Sequence, residues 1–223
     1  MDTSFQLGSF SVRRLGFGAM RICGEGVWGL PKDPAAAKAL LREVVDLSVN
    51  LIATADAYGP ETSENLLRGN SRKNLMRSVE GSLKRLGVEC IAVYQLHAPD
   101  ANVPFADSVG TLARLQEEGK IRDVGLSNVS VAQLEEACSI VKVVSVQNRY
   151  NLTDRQHEPV LQACTERNIG FIPWYPLATG NLAKGHVVQS LADELKAQPA
   201  QIALAWLLHK SPVMLPIPGT SSS

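Results

Sequence analysis

Seven short apolar runs, "LGFGAM", "NLIATAD", "IAVYQLHA", "DVGLSN", "VVSVQN", "GFIPWYP" and "VMLPIPG", are separated by amphipathic stretches of helical period. Parallel strands need a crossover between them, and a helix is the usual one, so this alternation reads as βα units around a parallel sheet. Sandwiches and helical bundles do not carry it. In residues 71 to 86, Leu75, Val79, Leu83 and Leu86 recur at helical spacing, and Lys73, Arg77 and Lys84 take the other face. Ser71 serves as N-cap and Gly87 as stop. The rhythm breaks once. After "NLIATADAYG" a helical "ETSENLLRGN" passes straight into "SRKNLMRSVEGSLKRLG", as if a βα unit had lost its strand. The final run is followed by "TSSS" in place of a covering helix. An eight-stranded βα barrel takes about 250 residues, and 223 are present here. No linker or low-complexity tract interrupts the chain, so one domain over residues 1–223 is expected.

Charge narrows the partners. Lys and Arg together number 22, matching 22 Asp and Glu, which gives no electrostatic case for nucleic acid or an anionic membrane. A small neutral or weakly charged ligand fits better. Cys23, Cys90, Cys138 and Cys164 lie far apart and form neither a CxxC pair nor a zinc spacing, so reduced thiols and no metal are expected. The opening "MDTSFQLGSFSVRRLGFG" has no apolar leader core, and no long apolar run follows it. The expectation is a soluble, cytoplasmic protein.

Working residues of parallel βα folds sit at the carboxyl ends of strands. Those ends supply Asp56, Tyr58, His97, Ser127, Asn128, Gln147, Asn148 and Trp174. Tyr58 alone could be an amphipathic rim residue, and His97 alone a hydrogen-bonded core histidine. Together, a phenol that donates a proton and an imidazole that polarises a carbonyl make an acid–base pair. "GEGVWG" matches GxGxxG, but "LPKDP" follows where a dinucleotide-binding unit would open a helix. It reads better as a first loop with Trp28 as a lid. His157, His186 and His209 fall in or beside expected helices, where a solvated face is the default.

In order along the chain, "LGFGAMR", "TADAYGPETSENLL", "SVEGSLKRLGVE", "YQLHAPD", "LQEEGKIRDVGLSN", "VSVQNRYNL", "GFIPWYPLATGNLA" and "MLPIPGTSS" resemble the aldo-keto reductases. That resemblance implies a TIM-type (β/α) barrel, here incomplete, with about seven recognisable strands and the third strand and C-terminal helix missing. It also implies NADPH lying across the carboxyl face, reduction of aldehydes and ketones, and a tetrad of tyrosine, lysine, aspartate and histidine. Tyr58 and His97 match the tyrosine and histidine. Ala53 stands where the family has its aspartate, and the strand that would bring the lysine is absent. Lys73, near in sequence, belongs to a helix start at the other end of the barrel. Ser127, Asn128 and Gln147 match nicotinamide contacts and Trp174 the stacking aromatic, while the basic grip on the adenosine phosphate has no counterpart.

A tyrosine titrates near pH 10 unless a buried cation favours its phenolate. Without the lysine, Tyr58 stays a weak, neutral acid. The expectation is therefore no cofactor, and acid–base chemistry (cyclisation, dehydration, isomerisation or lyase) on a carbonyl-bearing small molecule. Tyr58 and His97 would be catalytic with Asp56 as a substitute carboxylate, and Trp28, Asn148 and Trp174 would hold substrate. The alternatives are a residual NADPH-dependent carbonyl oxidoreductase, using Ser127, Asn128 and Gln147, and a non-catalytic binding scaffold. The missing strand also leaves an open edge that a homodimer would cover.

Overall fold

A computed structural model describes residues 3–25, 29–55, 58, 63–64, 66–67, 75–178 and 186–220. The chain opens with an antiparallel hairpin, β1 (Ser4–Leu7) and β2 (Phe10–Arg13). Its turn requires Gly8, at φ +58°, because a Cβ there would strike the carboxylate of Asp123. That buried carboxylate accepts from the Ser9 amide and hydroxyl at 3.1 and 3.0 Å. The sequence reading contained no hairpin. It closes the amino-terminal end of the sheet, burying Leu7 and Val12 with Val144, Ile172, Leu215 and Ile217.

The βα rhythm follows. β3 (Phe17–Gly18) leads to α1 (Pro34–Asp46), which Pro34 opens while Asp33 accepts from the amides of Ala35 and Ala36. Next come β4 (Ile52–Ala53) and, correcting the helix expected over "ETSENLLRGN", two short strands, β5 (Ser63–Glu64) and β6 (Leu66–Leu67), which pair with each other. After them run α2 (Leu75–Leu86), β7 (Ile91–Leu96), α3 (Phe105–Glu117), β8 (Ile121–Ser127) and α4 (Val131–Ile140). The series ends with β9 (Val143–Arg149), α5 (Glu158–Glu166), β10 (Gly170–Trp174), α6 (His186–Glu194) and α7 (Pro199–Lys210). Val79 is fully buried, as its helical spacing required, whereas Ser71 and Lys73 lie outside the described residues.

β10, β9, β8 and β7 form one parallel sheet in that order, and β3 pairs with β4. Residues 213–218 join the two pieces. The Phe171 amide donates to the Val213 carbonyl and the Leu215 amide to the Phe171 carbonyl, both at 2.8 Å. On the other side, the Gly16 and Gly18 amides donate to the Pro216 and Pro218 carbonyls at 3.0 Å. Pro216 and Pro218 have no N–H to give, so this seventh member only accepts from β3 and forms no regular ladder. The order around the wall is β4, β3, 213–218, β10, β9, β8, β7. Among the described residues nothing pairs β4 with β7, so the described part of the (β/α) barrel is not closed there, at the place where the sequence lacks a strand.

Between wall and helices lies a second apolar layer, with Val109, Leu112, Leu115, Leu134, Val146 and Phe171 fully buried. Each leucine there contributes about 2 kcal/mol by leaving water. Among the described residues no helix is long and apolar enough to cross a membrane, and no acidic, histidine or cysteine cluster could hold a metal.

Candidate active site

The carboxyl ends of β7, β8, β9 and β10 are stitched together by side chains that the strand period turns toward one another. Asn128, just after β8, adopts φ +58°, a conformation asparagine tolerates better than most residues. From that corner its Nδ2 donates to the His97 carbonyl at 2.9 Å and to Ser127 Oγ at 3.1 Å. Its Oδ1 accepts from Trp174 Nε1 at 3.0 Å. The Ser127 hydroxyl and the Asn128 amide both donate to the Gln147 carbonyl, at 2.7 and 3.0 Å. The Gln147 side-chain amide is half-buried, and neither its donor nor its acceptor takes a partner among the described residues.

Tyr58 meets His97 edge to face, ring centroids 6.5 Å apart and planes at 75°. The acid–base pair inferred from sequence is therefore brought together. Burial pushes the Tyr58 hydroxyl above its ordinary 10.0 and Cys23 adds to the rise. No cation among the described residues opposes it. Ala53, at the end of β4, presents a methyl group to the apolar interior of the barrel.

Trp174 is held from the other side as well. The Arg149 guanidinium lies 5.6 Å from its ring centroid and 5.4 Å from that of Tyr175, and makes a close ion pair, at 2.8 Å, with Asp154. Tyr175 (φ +65°) and Ala178 (φ +46°) follow β10 in the left-handed region, so the rim beside Trp174 stores backbone strain.

One expected substrate residue is corrected by its position. Asn148 is fully buried, and its amide is spent on Val129 and His157, so it offers no surface to a ligand. Trp28 and Asp56 lie outside the described residues. His157, expected on a solvated helix face, is instead half-buried at the start of α5 against Asn148. No local pattern marks that contact, which depends on how α5 packs on β9.

Residues 66–223 match the profile of the aldo/keto reductase family. An uncharacterized oxidoreductase of Schizosaccharomyces pombe is 44% identical over 97% of this chain and 80% of its own length. Pyridoxine 4-dehydrogenase of Escherichia coli is 35% identical over 99% of this chain and 89% of its own. These alignments run over 244 and 256 positions, more than the 223 residues of this chain, so parts of both relatives within the aligned span have no counterpart here. Among solved structures, a thermostable aldo-keto reductase bound to the inhibitor epalrestat superposes with a TM-score of 0.83 at 26% identity, covering 97% of this chain and 89% of that one. A Klebsiella pneumoniae aldo-keto reductase in complex with NADPH reaches 0.85 at 23% identity, covering 100% and 86%, a likeness of fold alone.

Proposed function

The chain belongs to the aldo/keto reductase family, and on that premise we propose that it is an NADPH-dependent oxidoreductase interconverting a carbonyl and an alcohol on a small molecule. The relatives carry the names of oxidoreductases and dehydrogenases, and they favour this reading over the cofactor-free chemistry expected from Ala53 and the lost strand. The observation that carries it is the patch at the ends of β8, β9 and β10, where the open Gln147 amide lies beside Ser127, Asn128 and the Trp174 indole. A primary amide with free donor and acceptor complements the carboxamide of a nicotinamide, and the indole supplies a flat wall for its ring. The donor set fits the group.

When bound there, NADPH supplies the hydride. Tyr58 holds the proton for the substrate oxygen, and His97, in edge contact with it, directs the carbonyl toward that hydroxyl. Asn128 fixes both the end of β7 and the indole, so it sets the spacing between the pair and the nicotinamide wall. The Tyr58 proton is harder to release than in a lysine-tuned site, so turnover is slow.

The test is titration of purified protein with NADPH, read by tryptophan fluorescence, followed by consumption of NADPH with a panel of aldehydes and ketones. Saturable quenching and slow carbonyl-dependent oxidation are expected. Tyr58→Phe lowers kcat by about 10²-fold or more, the scale of one general acid, with little change in NADPH affinity. Turnover that proceeds equally without NADPH would return the cofactor-free reading to first place.

A further inference from the structure

Asn148 sits behind the site, fully buried, and grips one residue twice. Its Oδ1 accepts from the Val129 amide at 3.1 Å, and its Nδ2 donates to the Val129 carbonyl at 2.7 Å. Val129 follows Asn128 directly, so the grip fixes the left-handed corner from which Asn128 reaches His97, Ser127 and Trp174. The second Nδ2 hydrogen points at Nδ1 of His157, 3.1 Å away. The amide cannot be turned over, because its oxygen already faces an N–H and its nitrogen a carbonyl. His157 Nδ1 must therefore be the acceptor, with the ring proton on Nε2. A proton added to Nδ1 would set N–H against N–H.

We propose that His157 is a positioning residue for the Asn128 corner, acting through Asn148, and that its protonation releases that corner. The groups around His157 leave the imidazole to decide. Asp154, from the loop before α5, is the one whose charge favours the protonated ring. Glu158, the next residue, is engaged by Tyr150 and Lys210, and Arg155 lies over Trp206 of α7. β9 and the β8–α4 connection contribute uncharged Asn148 and Val129. Burial lowers the His157 pKa from its ordinary 6.5 against the opposing Asp154, so the accepting, neutral ring prevails at neutral pH. The hold is complete above 6.5 and is lost as pH falls through the lowered value.

The consequence for cofactor affinity rests on the NADPH reading; the movement of the corner does not. Three proteins separate the two: wild type, His157→Asn, whose Oδ1 accepts like Nδ1 but does not titrate, and His157→Leu, which accepts nothing. In amide NMR between about pH 7.5 and about pH 5, Val129 and the Asn148 side chain shift in wild type with the midpoint of the His157 ring, and stay fixed in His157→Asn. NADPH affinity, read by tryptophan fluorescence, weakens roughly five- to tenfold more in wild type than in His157→Asn over that range, the scale of one buried hydrogen bond. His157→Leu is weak at both ends. Val129 unmoved while the His157 ring titrates, or identical profiles in wild type and His157→Asn, overturns the proposal. Should none of the three bind NADPH at any pH, the cofactor reading falls and the NMR arm alone decides the relay. If His157→Leu fails to fold, the wild-type and His157→Asn pair still decides.

Discussion

At Tyr58 the proton is held firmly. Burial first and Cys23 second raise its pKa above 10.0, and an acid catalyst works only while it keeps its proton. The kcat of carbonyl reduction should therefore show no loss ascribable to Tyr58 up to about pH 10, falling only beyond the raised value. A pH–rate profile measures this, and a loss of acid form near neutrality would mean that a cation tunes the hydroxyl after all. Ala53 bears on the same question. Ala53→Asp restores the family's residue but sets a carboxylate against the apolar barrel interior with no lysine among the described residues to receive it. It should destabilise by about 1–3 kcal/mol in urea unfolding and leave kcat no higher. The sequence showed Tyr58, His97 and the Ser127–Asn128 corner because each sits in a phrase with a recognisable neighbourhood. It misplaced Asn148 for a reason of geometry: successive residues of a strand face opposite sides, so Gln147 and Asn148 could not both look into the mouth. Only the packing of β9 tells which one does.

Among the elements, α4 gives the cleanest check on local coding. Ser130 accepts from the Gln133 amide at 3.2 Å and Gln133 returns the bond to the Ser130 amide at 3.0 Å, a reciprocal cap. Ser130→Ala should cost about 1 kcal/mol in thermal or urea unfolding. The open side of the barrel gives another check. The Ile91 amide donates to Lys120, toward β8, so the alternation of a parallel ladder turns Val93 the same way and Ala92 toward the gap. In hydrogen exchange Ala92 should be much faster than Val93. Protection of Ala92 that grows with protein concentration would mark a second copy lying on that edge. The interruption before α2 was legible only as a break in rhythm: "ETSENLLRGN" reads as helical by its composition, yet Ser63–Glu64 and Leu66–Leu67 within it are two short strands that pair with each other. The amino-terminal hairpin was not, because "SFQLGSFSVR" is short and its partner, Asp123, is 114 residues from Ser9.

Over the molecule as a whole, acid should lower stability in two pH windows. His157, lowered mainly by burial, withdraws its contribution as pH falls below 6.5 and through its folded value. Burial alone would raise the Glu158 carboxyl, but hydrogen bonds from Lys210 and Tyr150 outweigh it and hold the group below 4.5. Its contribution persists above that and is lost further into acid. Urea midpoints measured across this range should fall in both windows, and His157→Asn should remove the upper one alone. The barrel could be foreseen from the alternation of strands and helices together with the family phrases. How its two ends meet could not be, since that rests on one buried arginine. Arg14 donates to the Leu208 and Ser211 carbonyls, 194 and 197 residues away, while β3 takes its partners from residues 216 and 218. On the ribosome, then, β3 and β4 can pair with each other but have no wall to join until residues 213–218 have emerged. Until that moment the nascent protein carries an unclosed apolar interior, and a stalled or prematurely released chain would be a client for chaperones rather than a smaller folded protein.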